Sequence, residues 1–309
     1  VKGKRINHII NNFYNLITAY PLFLVGVIFL GLLPASFSLR CGELLGYLAF
    51  VLLHERRRIA LFNLEIAIKG GLEVQGNLKK IVQASFMSLG RSVAEISMLF
   101  WGREKLLKNC TILGEGNFLK ARKAGRGVLF FTGHCGNWEL TSILQGWLGH
   151  PVSVVARPLD NPYINMVFEK IRQRYSNRVI HKKGALKKIL KSLKNKETIG
   201  ILIDQSVSRH ESVVTEFFGE KVFTTRLLAL IALKTNAVVL PAFISYQGKG
   251  RHIFTIGEEI PLVRTGSFDE DIVVNTQNFT DKVEEYIRKN PTQWLWLHRR
   301  WKLRYGRKY

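Results

Sequence analysis

The chain has 309 residues, 47% hydrophobic and 11% aromatic, which excludes a disordered protein and leaves room for one large α/β domain with an appendage. Its 46 basic and 23 acidic residues give a formal charge of +23, which calls for an acidic partner: nucleic acid, an anionic membrane, a phosphorylated lipid or an acidic carrier protein. The basic clusters at 56–58, 182–196 and 299–308 come with no zinc-finger spacing, RNA-binding motif or glycine-rich phosphate loop, so no nucleic-acid binding is expected.

In chain order, residues 6–39 contain no Asp, Glu, Lys or Arg. Within them, residues 16–33 would span about 27 Å as a helix, close to a bilayer core of roughly 30 Å. Pro21 falls near the start, where proline is tolerated, and no small-residue cleavage site follows. A membrane anchor over residues 1–40 is therefore expected, followed by a catalytic domain over 41–309. Basic residues flank both sides of the apolar segment, so charge does not fix its orientation. Cys41, Cys110 and Cys135 are few, odd in number and far apart, which suits a reduced compartment without a disulfide framework.

The segment ERRRIALFNLEIAI at 55–68 reads either as a surface helix with Arg56–Arg58 at lipid headgroups or as an ordinary core helix. A helix over 78–100 carries Val82, Phe86, Leu89, Val93 and Ile96 inward at helical spacing. From residue 127 strands and helices alternate, which points to a largely parallel mixed sheet flanked by helices. Helices are expected near 162–175, 185–193 and 275–290, and an apolar one follows Thr224 or Thr225. A strand over 237–244 contains Pro241, which favours an edge or bulge. In the last stretch Trp294, Trp296 and Trp301 interleave with His298, Arg299, Arg300 and Lys302. That pattern suits either a headgroup interface or a terminal segment stapled to the core.

The chemistry concentrates in GVLFFTGHCGNWEL at 127–140. A buried strand ends at Thr132, Gly133 breaks it, and Asn137 is a candidate N-cap for the next helix. His134 and Glu139, five apart, would stand about 140° apart on an unbroken helix. His134 precedes the cap, however, so the loop can fold its ring back for Glu139 to hold one nitrogen and leave the other as a base. The spacing is not that of a helical zinc site, and adjacent residues point apart, which disfavours Cys135 with His134 as a nucleophile pair. Two more apolar runs end in single polar groups: VSVVA at Arg157 and TIGILI at Asp204. Ligands of open α/β sheets gather beyond such strand ends, so His134, Arg157 and Asp204 read as one site. The alternative for Arg157 and Asp204 is an ion pair at the sheet edge.

The blocks TGHCGNWE, ARPLDNP at 156–162, IDQ at 203–205, FFGEKVFTT at 217–225 and PTQWLWLHRRWK at 291–302 occur in the order found in the late acyltransferases of bacterial lipid A biosynthesis. The chain resembles these lauroyl and myristoyl transferases of the lysophospholipid acyltransferase superfamily over nearly its whole length. Two departures are Cys135, where a bulkier residue is usual, and IKGGLE at 68–73, which lacks the usual Phe-Pro-Glu.

The resemblance implies a glycerolipid-acyltransferase-like fold, with His134 and Glu139 as the catalytic pair and Arg157 and Asp204 binding substrate or completing the site. It implies acyl transfer from an acyl carrier protein thioester to a hydroxyl of a lipid A precursor, at the bacterial inner membrane with the catalytic domain on the cytoplasmic side. No metal or redox cofactor is implied. His134 would take the hydroxyl proton, since an imidazole ordinarily titrates near pH 6.5, and the oxygen would attack the thioester directly. Asn137 or loop N–H groups are candidate oxyanion donors, and Gly133 and Gly136 would let ligand approach the backbone. The rivals are acylation of lysophosphatidic acid or of a glycosylated inositol lipid, and a non-catalytic basic membrane binder. The RPLDNP and QWLWLHRRWK blocks argue against the lysophosphatidic acid acyltransferases. Oligomeric state is left open.

Overall fold

The fold is described from a computed structural model over residues 20–159, 161–181 and 184–303. Residues 1–19 of the expected anchor, Asp160 of ARPLDNP, and the basic residues Lys182, Lys183, Arg304, Arg307 and Lys308 lie outside the described residues. The amino-terminal part is helical: α1 (Tyr20–Leu32), α2 (Ala35–Leu52), α3 (His54–Lys69), α4 (Leu78–Phe100) and the single turn α5 (Lys105–Lys108). Asn77 caps α4, its side-chain oxygen accepting the Lys79 N–H at 2.8 Å.

Alternation then sets in. β1 (Cys110–Leu113), α6 (Glu115–Lys123), β2 (Val128–Thr132), α7 (Glu139–Trp147), β3 (Val152–Ala156), α8 (Pro162–Arg172), β4 (Arg178–His181), α9 (Ala185–Lys194) and β5 (Thr198–Leu202) follow in order. A hairpin of β6 (Ser212–Phe217) and β7 (Glu220–Thr225) precedes α10 (Leu227–Thr235). Strands β8 (Val238–Tyr246) and β9 (His252–Ile256) and the long α11 (Phe268–Lys289) complete the fold.

Seven strands form one sheet in the order β1-β9-β8-β2-β5-β3-β4. β8, β2, β5, β3 and β4 run parallel, while β9 pairs antiparallel with β8, so the sheet is mixed and largely parallel, as expected. The continuous apolar runs make sense in strands covered on both faces. Leu129 and Phe131 of β2 join one core with α9, α10 and α11; Val128 and Phe130 join the other with α6, α7 and α8.

Pro241 corrects one expectation. β8 is an interior strand, and Pro241 stands where its ladder to β2 ends (Phe131↔Pro241) and its ladder to β9 begins (Ala242↔Ile256). The missing N–H falls at that changeover, which is why an interior strand tolerates it.

The aromatic carboxyl-terminal segment is a staple. Trp294, Trp296 and Trp301 are buried, with Phe217 5.7 Å from Trp294 and 5.5 Å from Trp301 between ring centroids. Of the two readings of these tryptophans, their burial fits the staple. α3 is a core helix as well: it buries Ala60, Leu64 and Ala67, and its Asn63 amide donates to the Trp296 and His298 carbonyls, each at 2.7 Å.

Among the described residues the helix long and apolar enough to cross a membrane is α2; the expected 16–33 segment begins outside them, and its described part is the 13-residue α1 ending before Pro34. α2 runs unbroken through residue 40, where the anchor was expected to end, and exposes Phe37, Leu44, Leu45 and Leu48. Its other side packs on α4 through glycines. A Cβ on Gly46 would lie 2.3 Å from the Phe86 carbonyl oxygen, and one on Gly90 would lie 2.1 Å from that of Gly42. Small residues at such crossings let helix backbones touch.

Candidate active site

β2, β5 and β3 are neighbours, so the residues just past their carboxyl ends share one rim. His134 follows β2, Asp204 follows β5 and Arg157 follows β3. The structure brings the first two into contact. Asp204 Oδ1 lies 2.6 Å from His134 Nδ1, and Oδ2 accepts the His134 backbone N–H at 2.7 Å. Oδ2 also accepts the Trp294 indole N–H at 2.7 Å. Burial pushes the Asp204 carboxyl up, but the facing His134 charge and these three hydrogen bonds outweigh it. Asp204 is held well below the usual carboxylate range.

A carboxylate at Nδ1 fixes the ring with Nδ1–H as donor and leaves Nε2 its lone pair. Gln205 presents its amide nitrogen to that atom at 3.1 Å, as a donor to an acceptor. Trp138 stands edge-on to the ring at 4.8 Å between centroids. The imidazole therefore has an acceptor nitrogen aimed into a cavity of about 740 Å³ that also meets Arg157, His298 and Lys302.

Glu139 is not the residue on the imidazole. Both its oxygens are taken by Arg172 of α8, Oε2 from Nε at 2.7 Å and Oε1 from Nη2 at 2.5 Å. The fork ties α7 to α8 along the cavity wall, with each residue 8% exposed. The expectation rested on closeness in sequence, whereas Asp204, seventy residues away, is closer in space.

Other expected site residues serve the loop rather than the cavity. Asn137 is not the cap of α7, which begins at Glu139 without a side-chain cap. Its buried amide donates to Glu95 Oε2 at 2.9 Å, and Glu95 Oε1 meets His252 Nε2 at 2.8 Å. Asn137 is not on the cavity wall. Three of the loop N–H groups are engaged: His134 donates to Asp204, Cys135 to the Gly133 carbonyl and Gly136 to that of Gln293.

Gly133 and Gly136 lie off the cavity wall. A Cβ on Gly133 would sit 3.2 Å from Asp204 Oδ2, and Gly136, at φ +55°, would place one 2.5 Å from the Ile244 carbonyl oxygen. Their small size seats the loop against protein. Asp204 likewise stands behind His134 and not on the wall, and it holds the imidazole. Cys135 is buried, and burial pushes its thiol well above the ordinary range, which removes it as a nucleophile.

Sequence reasoning missed Gln205, Arg172, Trp294 and His298. Gln205 had a signal, being next to Asp204 at a strand end; Arg172, in the last turn of a helix, had none. His298 lines the cavity with its Nδ1 buried and unpaired, and burial pulls its ring down to about 4. Among the described residues no group of three or more His, Cys, Asp or Glu side chains is placed to hold a metal ion.

A buried carboxylate on a half-buried imidazole, at parallel strand ends and beside an amphipathic cavity, is an arrangement that can serve acid–base chemistry. A family model for bacterial lipid A biosynthesis acyltransferases matches residues 12–303. The chain belongs to this family. It is 29% identical over 252 residues to a lipid A biosynthesis acyltransferase of Haemophilus influenzae, a match covering 81% of this chain and 78% of that one. It is 28% identical over 278 residues to the lipid A biosynthesis lauroyltransferase of Escherichia coli, covering 88% and 86%. It is also 28% identical over 287 residues to the palmitoleoyltransferase of that organism, covering 91% and 90%. As a lipid A biosynthesis acyltransferase it is a membrane-associated enzyme of lipopolysaccharide assembly, and the apolar α2 agrees with that setting.

Proposed function

We propose that the protein moves a fatty acyl chain from an acyl carrier protein thioester to a hydroxyl of a lipid A precursor, with His134 as general base. The observation that carries this reading is the His134–Asp204 pair, held at Nδ1, with His134 on the cavity wall and only the Gln205 amide at its Nε2. The acceptor hydroxyl takes the place of the Gln205 amide at Nε2 and gives up its proton there. Its oxygen adds to the thioester carbonyl, the C–S bond breaks, and the imidazolium returns the proton to the departing thiolate. Asp204 keeps the ring in register and stabilises the imidazolium.

Charge supports the substrates. Arg157 and Lys302 are exposed at the cavity mouth, where an acceptor phosphate would arrive. The exposed Lys187, Lys188, Lys191 and Lys194 on α9 offer an acidic carrier a positive surface. In this reading the helical amino-terminal region seats the protein on the inner membrane, with the catalytic domain facing the cytoplasm.

The test is mass spectrometry of a tetraacyl lipid A precursor incubated with detergent-purified protein and a mixture of acyl carrier protein thioesters. A mass gain of one acyl chain that is lost with His134→Ala supports the assignment. A His134→Ala protein with near-normal turnover removes His134 as the base, and no gain with any donor removes this acceptor and donor pair.

A further inference from the structure

β5 lies between β2 and β3 in the sheet, yet two of its residues keep partial solvent access. These are Gly200 and Leu202, while Ile199 and Ile201, pointing to the opposite face, are buried. The access comes through the cavity, whose wall includes both. The lining changes character along its length. At the mouth Arg157, Ser208 and Lys302 are exposed, whereas Phe130, Ala242 and Phe254 at the far end are buried and apolar.

A glycine inside a strand weakens it and ordinarily marks a bulge, an unusual backbone conformation or a close backbone approach. Gly200 has none of these reasons. Its φ is not in the left-handed region, and it pairs in regular parallel register with Phe130 of β2 and Val154 of β3. A Cβ built on it would meet only Val152 Cγ1, at 3.3 Å. A methyl group there asks the Val152 side chain to give by a few tenths of an ångström, and no backbone atom stands in its way. What the missing side chain does is leave a gap in the cavity floor between Phe130 and Val154.

We propose that the donor's acyl chain lies across this gap, and that Gly200, with the small Ala242 on the cavity wall two strands away, sets the longest chain the enzyme accepts. The inference rests on the acyl-transfer reading above. With the thioester carbonyl beside His134 at the polar end, the attached chain has the apolar end as its dry continuation. Overall similarity does not decide the length. The relatives named for lauroyl and palmitoleoyl transfer are both 28% identical to this chain, so the choice falls to local residues such as these.

The experiment compares wild type, Gly200→Ala, Gly200→Val and Ala242→Val in detergent. Acyl transfer is measured from an equimolar series of saturated acyl carrier protein thioesters, and binding from the matching free fatty acids. Transfer is expected to persist with shorter chains, the short-to-long product ratio rising about 10-fold or more for each methylene excluded, and the fatty-acid cut-off is expected to move in the same direction. Folded Gly200 variants that transfer the wild-type length distribution overturn the proposal. Should Gly200→Val lose its melting transition, Gly200→Ala and Ala242→Val decide on the same readout. Wild type that acylates no lipid acceptor, yet shows a fatty-acid cut-off shortened by Gly200→Val, sinks the transfer reading and keeps the cavity floor. No chain-length dependence in either assay sinks Gly200 as the limit.

Discussion

Asp204 holds His134 at two points, ring Nδ1 at 2.6 Å and backbone N–H at 2.7 Å, so one buried carboxylate fixes both the imidazole and the loop that carries it. Asp204→Asn keeps the shape but brings a neutral amide to Nδ1, weakening the hold on the tautomer and removing the charge that supports the imidazolium. The expected result is a fall in kcat of about 10²–10⁴-fold, with KM for the donor little changed. Steady-state kinetics on the carrier thioester measure it, and a kcat within a few-fold of wild type would remove Asp204 from the mechanism.

Glu139 and Arg172 call for the opposite pattern. Both are buried, and removing one partner leaves the other charge unpaired, which costs about 3–5 kcal/mol. Glu139→Gln should therefore lower the thermal midpoint sharply, and Glu139→Met with Arg172→Met together should restore much of it by replacing the pair with apolar contact. Activity follows stability if the pair is a clamp between α7 and α8. Should the double variant regain its melting temperature but stay as inactive as His134→Ala, Glu139 acts on the base after all.

Acid should destabilise the protein in two separable windows. His298 is held down to about 4 by burial from an ordinary 6.5. Between those values the unfolded chain takes up a proton that the folded one refuses, so stability falls as pH drops from about 6.5 to about 4. Asp204 is depressed in the folded state, so its contribution is complete above the ordinary carboxyl value of 3.8 and is lost only below it. His298→Gln should flatten the first window and leave the second. A pH series of melting curves showing the same slope from 6.5 to 4 in both proteins would contradict this.

The strands around the site were legible because VLFFT, VSVVA and TIGIL are unbroken apolar runs, the mark of strands covered on both faces. That also made His134, Arg157 and Asp204 readable as one rim. Which carboxylate holds the imidazole was not readable, because sequence shows neighbours along the chain. Glu139 is five residues from His134, while Asp204 reaches it through the register of β2 with β5. The tryptophans left two readings open for a related reason: interleaved Trp and Arg describe a headgroup belt and a buried staple equally well. Only the hairpin that brings Phe217 onto Trp294 and Trp301 separates the two.

The same long-range logic joins the membrane-facing helices to the catalytic loop. α4 receives α2 at Gly42, Gly46 and Gly90, and a little further along it presents Glu95 to Asn137 of the loop. A side chain at Gly46 would drive its Cβ to 2.3 Å from the Phe86 carbonyl oxygen, a clash with backbone that rotamers cannot relieve. Gly46→Val should therefore force α2 away from α4 at a cost of roughly 1–3 kcal/mol or more. In detergent the expected readout is a lower melting midpoint, with kcat falling and donor KM holding, since the shift passes to the loop through α4 rather than to the cavity mouth. Gly26→Val is the control: it lies on α1 with nothing within 4 Å of its Cβ, and it should melt like wild type. Equal melting midpoints for the two variants would mean that the α2–α4 crossing does not hold the helices together.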